Sequence, residues 1–418
     1  MEKTVLIHLS DCFYPRVNGV TSAIDSIVYS LKDDFINILI APDYSNYFDY
    51  SNYSKYLESK GNIFVENYKD YLTILRVPSF LFWFNKEDRF MNSSYPVIKD
   101  ICDFIYKNFK ENKWIFFNHN IFNSYVILSK ILKYVYKNYS DIDYKWIKRL
   151  FYFHTFWEYY VHYVPVPAFI SKVILKYLNK EVIRNSDLVF VANEYVKNYI
   201  LFSYFGKNYK DLDKRIIILP LPLNYVFWED FEMDIDKELK GKRYVMYAGR
   251  LAKEKNLFFL IDIFKQMDLM DGSLRFYICG DGPEKDNLRS YVLKNNLQDK
   301  VVFTGYISQE LIRRYYKYSQ AVLFVSKTET LGLVLLEAMA QKALVISLNV
   351  DPFKNIIKSN YNGILIDTED PKLFAKKVLD TINNEELTKK IKENAFNFSL
   401  EYHPDSFKKK FINLISEF

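Results

Sequence analysis

Residues 324–341 read FVSKTETLGLVLLEAMAQ, and the fold is decided there. The apolar run Ala321–Val325 has the character of a buried parallel strand; a polar elbow follows, and the pattern turns helical at about Leu333. Strand, loop and helix in that order aim backbone N–H groups at an anion. Glu337 stands out because Leu333, Val334, Leu335, Leu336, Ala338, Met339 and Ala340 around it are all apolar. A carboxylate buried in such a helix is costly unless something pairs with it. Glu329 lies eight residues earlier, in the elbow, so the two acids can face one pocket from loop and helix. The plainer alternative, two solvated glutamates, fits poorly with so apolar a helix.

Working outward, the alternation of short apolar strands and helical stretches runs through most of the chain. Strands are predicted at 4–10, 36–41, 72–77, 114–118, 150–154, 188–191 and 216–219, with helices at 19–32, 95–109 and 121–139; residues 43–70 look like an insertion or long loop. After a charged connector, about Glu229–Lys242, strands restart at 244–248, 274–279, 301–304, 321–325, 344–347 and 363–366. Helices fall between them at 257–267, 283–295, 309–318, 333–341, 353–359 and 371–383. Repeated βα units predict α/β architecture with parallel, doubly wound, Rossmann-like sheets. The expected division is an N-terminal domain 1–222, a C-terminal domain 223–384, and helices in 385–418 that pack back toward the N-terminal domain. Two such sheets in series leave a cleft, with ligands at the carboxyl ends of the strands.

Composition narrows the function classes. At 418 residues the chain exceeds one ordinary core, and 50% apolar content can fill two or three. Cys12, Cys102 and Cys279 have no metal-like spacing and give no disulfide framework, which fits a reducing compartment. The start, MEKTVLIHLSDCF, is not a signal peptide, and no run reaches the roughly 20 apolar residues that a spanning helix needs. A net charge of +6 suits attraction to an acidic surface and makes no case for nucleic acid. The 36 Tyr and 35 Phe fit codon bias, with a surface for a greasy substrate as the alternative.

Four loops of the second domain each follow a strand. In GRLAKEKN, Arg250 and Lys255 are two cations that can clamp a diphosphate. In CGDGPEKDNLR, Gly280 and Gly282 permit close backbone approach and Pro283 starts a helix. Gly305–Ser308, with Ile307, can offer backbone groups to a base. The elbow before Leu333 is the fourth. Together they resemble the family 4 retaining glycosyltransferases of the GT-B fold, in the right order over most of the chain. The E-x7-E pair appears as Glu329 and Glu337, and the GDGP loop and GLV-x-x-EAMA helix are intact.

The resemblance implies that Arg250 and Lys255 hold the diphosphate of a nucleotide-sugar, Glu337 the ribose and Glu329 the hexose hydroxyls. Leu331, Gly332 and Leu333 would supply backbone groups to the sugar and the distal phosphate. On the N-terminal side, DCFYPRVNGV resembles the acceptor-side loop, with Asn18-Gly19 where the family has Gly-Gly; Asn tolerates left-handed backbone, so the loop can still form. His154, at a predicted strand end, matches the family's histidine beside the transferring sugar. His8, His119, His162 and His403 are assigned structural roles. Leu219-Pro-Leu-Pro222 and Ala192-Asn193-Glu194 depart from the family's phrases and bear on acceptor contacts rather than on the donor.

HTFWEYYVHY, residues 154–163, resembles the stretch found in bacterial synthases that glycosylate diacylglycerol. From 166 to 184, Phe169, Ile170, Val173, Ile174, Tyr177 and Leu178 recur at helical spacing, and Lys172, Lys176, Lys180 and Arg184 form an i, i+4 row. Such a helix either lies on anionic lipid or packs on its own sheet. The aromatic cluster 80–84, including Phe80, Phe82 and Trp83, has the same two readings: interface or core.

The expectation is therefore a metal-independent retaining hexosyltransferase with no cofactor beyond its substrate, UDP-glucose or UDP-galactose. Its expected partners are a nucleotide-sugar donor, a lipid acceptor such as diacylglycerol and an anionic membrane surface, with no nucleic acid and no obligate protein partner. The expected location is cytoplasmic, peripheral on the inner face of the cell membrane. The D-x-D pairs at 141–143, 211–213 and 234–236 are expected to be solvated rather than metal-binding. A sterol or saccharide acceptor, a nucleotide-sugar isomerase or phosphorylase, and a non-catalytic lipid-surface protein remain as alternatives.

Overall fold

The structure is a computed structural model, and it describes residues 3–45, 57–82, 85–158, 161, 167–206, 210–229, 235–327 and 332–417. The chain forms two compact units, Met1–Pro222 with Phe407–Phe418, and Leu223–Ser406. Helix Glu385–Ser399 thus belongs with the second unit, and most of helix Pro404–Ser416 with the first.

The first unit is built on strands β1 (Val5–Leu9), β2 (Ile36–Pro42), β3 (Leu57–Lys60), β4 (Ile63–Asn67), β5 (Leu72–Val77), β6 (Ser79–Phe82), β7 (Asn85–Met91), β8 (Trp114–Asn118), β9 (Ile147–Tyr152), β10 (Leu188–Val191) and β11 (Ile216–Ile218). Among the described residues nine of them make one sheet, in the order β11-β10-β9-β8-β1-β2-β5-β4-β3. The central strands are parallel and covered on both faces, which is why they read as nearly continuous apolar runs. Val5, Ile7, Leu9, Ile38 and Ile40 pack beneath helices Tyr95–Phe109 and Asn123–Asn138. Leu39, Ala41 and Ile74 face helix Gly19–Leu31.

Three expectations change here. The 43–70 stretch is not all loop: β3 and β4 form an antiparallel hairpin that extends the sheet through β5. Its turn runs through Gly61 at φ 66, and the polar residues that looked like loop belong to an exposed edge. The strand placed at 150–154 is β9, Ile147–Tyr152, so His154 lies two residues beyond it. Residues 80–84 begin in β6, which pairs only with β7 among the described residues.

The second unit has strands β12 (Tyr244–Ala248), β13 (Arg275–Cys279), β14 (Val301–Gly305), β15 (Ala321–Phe324), β16 (Val345–Leu348) and β17 (Ile364–Ile366). Among the described residues they form one parallel sheet, ordered β14-β13-β12-β15-β16-β17. Numbered within the unit this is 3-2-1-4-5-6, the doubly wound order whose reversal lies between β12 and β15. Its core joins Val245, Ile278, Leu323 and Ile346 to helices Leu257–Met270 and Pro371–Ile382. The helix expected at 353–359 is shorter and earlier, Asp351–Lys354.

Candidate functional site

In the second unit, the loops after β12, β13 and β14 are laced together through their backbones. The Gly249 N–H donates to the Cys279 carbonyl at 3.0 Å, the Gly280 N–H to Gly305 at 2.9 Å, and the Leu251 N–H to Asp281 at 2.9 Å. A Cβ on Gly280 would stand 1.9 Å from the Gly249 oxygen, and one on Gly282 would stand 2.5 Å from the Leu251 oxygen. Glycine is required at both places because neighbouring loops, rather than a ligand, approach so closely. The helix expected from Pro283 starts at Lys285. Gly305 adopts φ 71, Ile307 is half-buried, and Ser308 caps helix Gln309–Tyr318.

Arg250 is exposed just beyond β12, and Lys255 is half-buried at the end of the turn Lys253–Lys255. That turn is tied to the exit of β15: Asn256 Nδ2 donates to the Val325 carbonyl at 3.4 Å, and Ser326 Oγ to the Glu254 carbonyl at 3.3 Å. The Arg250–Lys255 loop therefore borders the elbow at the reversal of strand order. Glu329 and Leu331 lie outside the described residues. Gly332 does not; at φ 66 and ψ 52 it precedes helix Leu333–Ala340, which has no side-chain cap among the described residues. Leu335, Leu336, Ala338, Met339 and Ala340 are buried, whereas Leu333, Val334 and Glu337 are half-buried. Glu337 is thus not sealed in the core. Its Oε2 accepts from the buried Tyr316 hydroxyl at 3.2 Å. Burial pushes its carboxyl up to about 7 against the opposing effect of that bond, and the Tyr316 hydroxyl is in turn held above its ordinary range by burial and by Glu337.

In the first unit, the order of strands reverses between β1 and β8, and polar groups collect beside that point. Asp11, half-buried, accepts the Ser124 N–H at 2.6 Å at the start of helix Asn123–Asn138, and its other oxygen is buried without a partner among the described residues. Burial raises its carboxyl to about 6. Asn18 is extended at φ −155, not left-handed as expected: it caps helix Gly19–Leu31, its Oδ1 accepting the Thr21 N–H at 2.9 Å. Gly19, the first helical residue, has open space where a Cβ would be.

His154 does not stand alone. Its Nε2 lies 2.9 Å from Nδ1 of His119; Nε2 of His119 lies 3.0 Å from Nδ1 of His8; and Nε2 of His8 lies 3.4 Å from Oδ1 of Asn37. His8 and His119, read from the sequence as structural, are buried in this row, which no single-residue pattern reveals because it depends on β1, β2, β8 and β9 being neighbours. Burial lowers all three histidines, His8 to about 4 and His154 to about 3. Glu158, four residues after His154, is a second residue that sequence reasoning passed over. It is buried, and neither carboxylate oxygen has a partner among the described residues, so a donor from a ligand would relieve the cost of burial.

Helix Ala168–Arg184 buries Ser171, Leu175, Asn179, Val182 and Ile183. The other face carries Phe169, Ile170, Val173, Ile174 and Tyr177, all exposed, with Phe169 at 71% and Val173 at 68%. Lys172, Lys176 and Arg184 are exposed beside them and Lys180 is half-buried. Phe80 is exposed and stacked on Phe90; the Phe82 side chain and Trp83 lie outside the described residues. No described helix is long and apolar enough to cross a membrane. Of the D-x-D pairs, Asp141 accepts from the Tyr106 hydroxyl, Asp143 caps a turn, Asp213 pairs with Lys197 and Asp236 with Arg314; Asp234 lies outside the described residues.

Residues 229–398 match the family described as "Glycosyl transferases group 1". Alpha-monoglucosyldiacylglycerol synthase of Streptococcus pneumoniae is 27% identical over 263 residues, 60% of this chain and 58% of the relative. Alpha-D-kanosaminyltransferase of Streptomyces kanamyceticus is 28% identical over 157 residues, 38% of this chain and 41% of the relative. The chain thus spans less than two thirds of either relative's length. HepE of Anabaena, solved with UDP and glucose, superposes with a TM-score of 0.70 at 13% identity over 99% of this chain and 100% of its own. The fold is GT-B: two Rossmann-like units, each a mainly parallel sheet with helices.

Proposed function

We propose that this protein, whose residues 229–398 match the group 1 glycosyltransferase family, transfers a hexose from a UDP-sugar to a lipid hydroxyl, with diacylglycerol the favoured acceptor and retention at the anomeric carbon. The observation that carries the lipid reading is the helix Ala168–Arg184, whose apolar side chains face solvent beside a row of cations. A contiguous exposed apolar face with flanking lysines suits the headgroup boundary of an anionic bilayer. The resemblance of residues 154–163 to diacylglycerol-glycosylating synthases points the same way, as does the relative from S. pneumoniae. Phe80, Phe82 and Trp83 would add aromatic contact with the interface.

On this reading Glu337 takes the ribose hydroxyls, and its raised proton affinity keeps it able to share a proton with them. Arg250 and Lys255 neutralise the diphosphate, and the start of helix Leu333–Ala340 adds backbone N–H groups. Charge builds on the leaving diphosphate as the glycosidic bond breaks, so these fixed positive groups act most strongly in the transition state. The acceptor hydroxyl attacks on the leaving-group face, and a phosphate oxygen takes its proton. No metal and no separate carboxylate base is needed for that step.

The test is to incubate the purified protein with radiolabelled UDP-glucose and UDP-galactose, with and without membrane lipid extract. A labelled glycolipid that yields diacylglycerol on hydrolysis is expected. Label transferred only to added saccharides would replace the lipid reading with the saccharide one, for which the kanosaminyltransferase relative is the precedent. Conversion of donor with no acceptor at all would instead indicate an isomerase or a hydrolase.

A further inference from the structure

Asn37, His8, His119 and His154 occupy four adjacent strands or strand ends in the sheet order β2, β1, β8, β9. Their side chains form one hydrogen-bonded row across the sheet, at 3.4, 3.0 and 2.9 Å. His8 and His119 are completely or almost completely buried, at 0% and 1% exposure. The His8 and His119 rings are nearly parallel with centroids 5.3 Å apart, the His119 and His154 rings are tilted with centroids 5.2 Å apart, and Phe117 and Tyr152 pack beside them. Helix Pro404–Ser416 contributes Phe411 against Phe117 and Phe190.

The direction of the row follows from its fixed end. Asn37 Nδ2 points to the Phe35 carbonyl at 3.5 Å, which leaves Oδ1 toward His8; the reverse orientation would set two oxygens against each other. An amide oxygen only accepts, so Nε2 of His8 carries a proton. A neutral imidazole has one N–H, so Nδ1 of His8 is bare and must receive the proton of His119 Nε2. By the same rule, Nδ1 of His119 is bare and receives the proton of His154 Nε2. His154 Nδ1 is then left with a lone pair.

We propose that Asn37, His8 and His119 are positioning residues that hold His154 as its neutral Nε2–H tautomer, so that Nδ1 accepts a substrate hydroxyl and disfavours an anion. The row does not serve as a proton wire. A proton arriving at His154 could pass inward only as far as Asn37, whose amide does not take it up, and the charge would stay among buried rings. His154 therefore reads a hydroxyl rather than neutralising phosphate or acting as an acid. The tautomer stands independently of the transferase reading; the assignment of the hydroxyl to a sugar or glycerol rests on it.

The test uses the full chain labelled with 15N-histidine, whose five histidines are few enough to assign by single substitutions. Long-range proton–nitrogen correlation distinguishes protonated from bare ring nitrogens. His154 is expected to show protonated Nε2 and bare Nδ1, unchanged from about pH 8 to about pH 5. In Asn37→Leu the row loses its anchor and His154 is expected to show both tautomers, with kcat for hexose transfer down about tenfold and UDP affinity unchanged. Asn37→Asp, which still accepts from His8, should restore the single tautomer. A protonated Nδ1 in the unmodified protein, a His154 imidazolium at pH 6, or an unchanged His154 pattern in Asn37→Leu would each overturn the proposal. If Asn37→Leu does not fold, the unmodified spectrum alone decides. The expected spectrum without any hexose transfer would retain the tautomer and remove the transferase reading instead.

Discussion

Glu337 illustrates how a single residue can link stability to function. Its carboxyl is protonated up to about 7 in the folded chain, against an ordinary value of 4.5. Below 4.5 both folded and unfolded states hold the proton, and the stabilisation relative to a charged group is fully present. As pH rises through 7 the folded protein must carry the charge at this half-buried position, and that stabilisation is lost. Glu337→Gln should therefore be more stable than the parent above pH 7, by about 1–3 kcal/mol, with the gap closing toward pH 4.5. It should also bind UDP more weakly. Thermal unfolding across pH together with UDP titration tests both, and a gap independent of pH would contradict the assignment. Arg250→Ala is expected to lower kcat/KM for the donor by about 10²–10³ if Arg250 faces the departing diphosphate. Glu158→Gln, which replaces a buried carboxyl that has no partner among the described residues, should leave the fold intact; a fall in kcat/KM for the lipid with donor KM unchanged would place Glu158 at the acceptor.

At the scale of elements, the helix Ala168–Arg184 carries the clearest consequence. Its buried side is narrow, so packing on its own sheet accounts for only part of it. Replacing Lys172, Lys176 and Arg184 by Gln should weaken binding to anionic vesicles by about 3 kcal/mol, roughly a hundredfold, at low salt. Added salt should erase most of that difference, since exposed charges are screened within about 10 Å at 0.1 M. Replacing Phe169, Val173 and Tyr177 by Ser should weaken binding at all salt concentrations. Vesicle co-sedimentation separates the two, and equal binding by all variants would assign the helix to another partner.

At the scale of the whole molecule, two units with separate cores predict separable responses. UDP at about 100 times its Kd should stabilise Leu223–Ser406 by about 2.7 kcal/mol, visible as slowed hydrogen exchange in that unit. Acid should act on the first unit. His8 and His119 are lowered by burial, so their contribution is present above the ordinary imidazole range and is lost as pH falls through it toward their folded values. Each adds up to about 1.4 kcal/mol per pH unit of lost stability there, while Asp11, raised to about 6, works in the opposite sense. Exchange measured between pH 7 and 5 should show the first unit loosening, and His8→Gln should reduce the effect.

The amino-acid sequence by itself determined the parallel architecture, because buried parallel strands must be apolar on both faces and their helices amphipathic. The places of Arg250, Lys255, Gly280, Gly282, Gly332 and Glu337 at or near strand and helix ends were legible for a related reason: each is set by its distance along the chain from the apolar run beside it. The hairpin β3–β4 was not legible, since β3 is a short polar edge strand and the apolar run of β4, residues 63–65, is only three residues long. Nor was the reason for Gly280, which answers to the Gly249 carbonyl of another loop. The histidine row lay furthest from view. Asn37, His8, His119 and His154 are up to 146 residues apart (154 − 8) and meet only because the sheet order brings β2, β1, β8 and β9 side by side. Hydrogen bonds across strands depend on register and adjacency, which local sequence does not encode, so only the tertiary structure decided what stands behind His154.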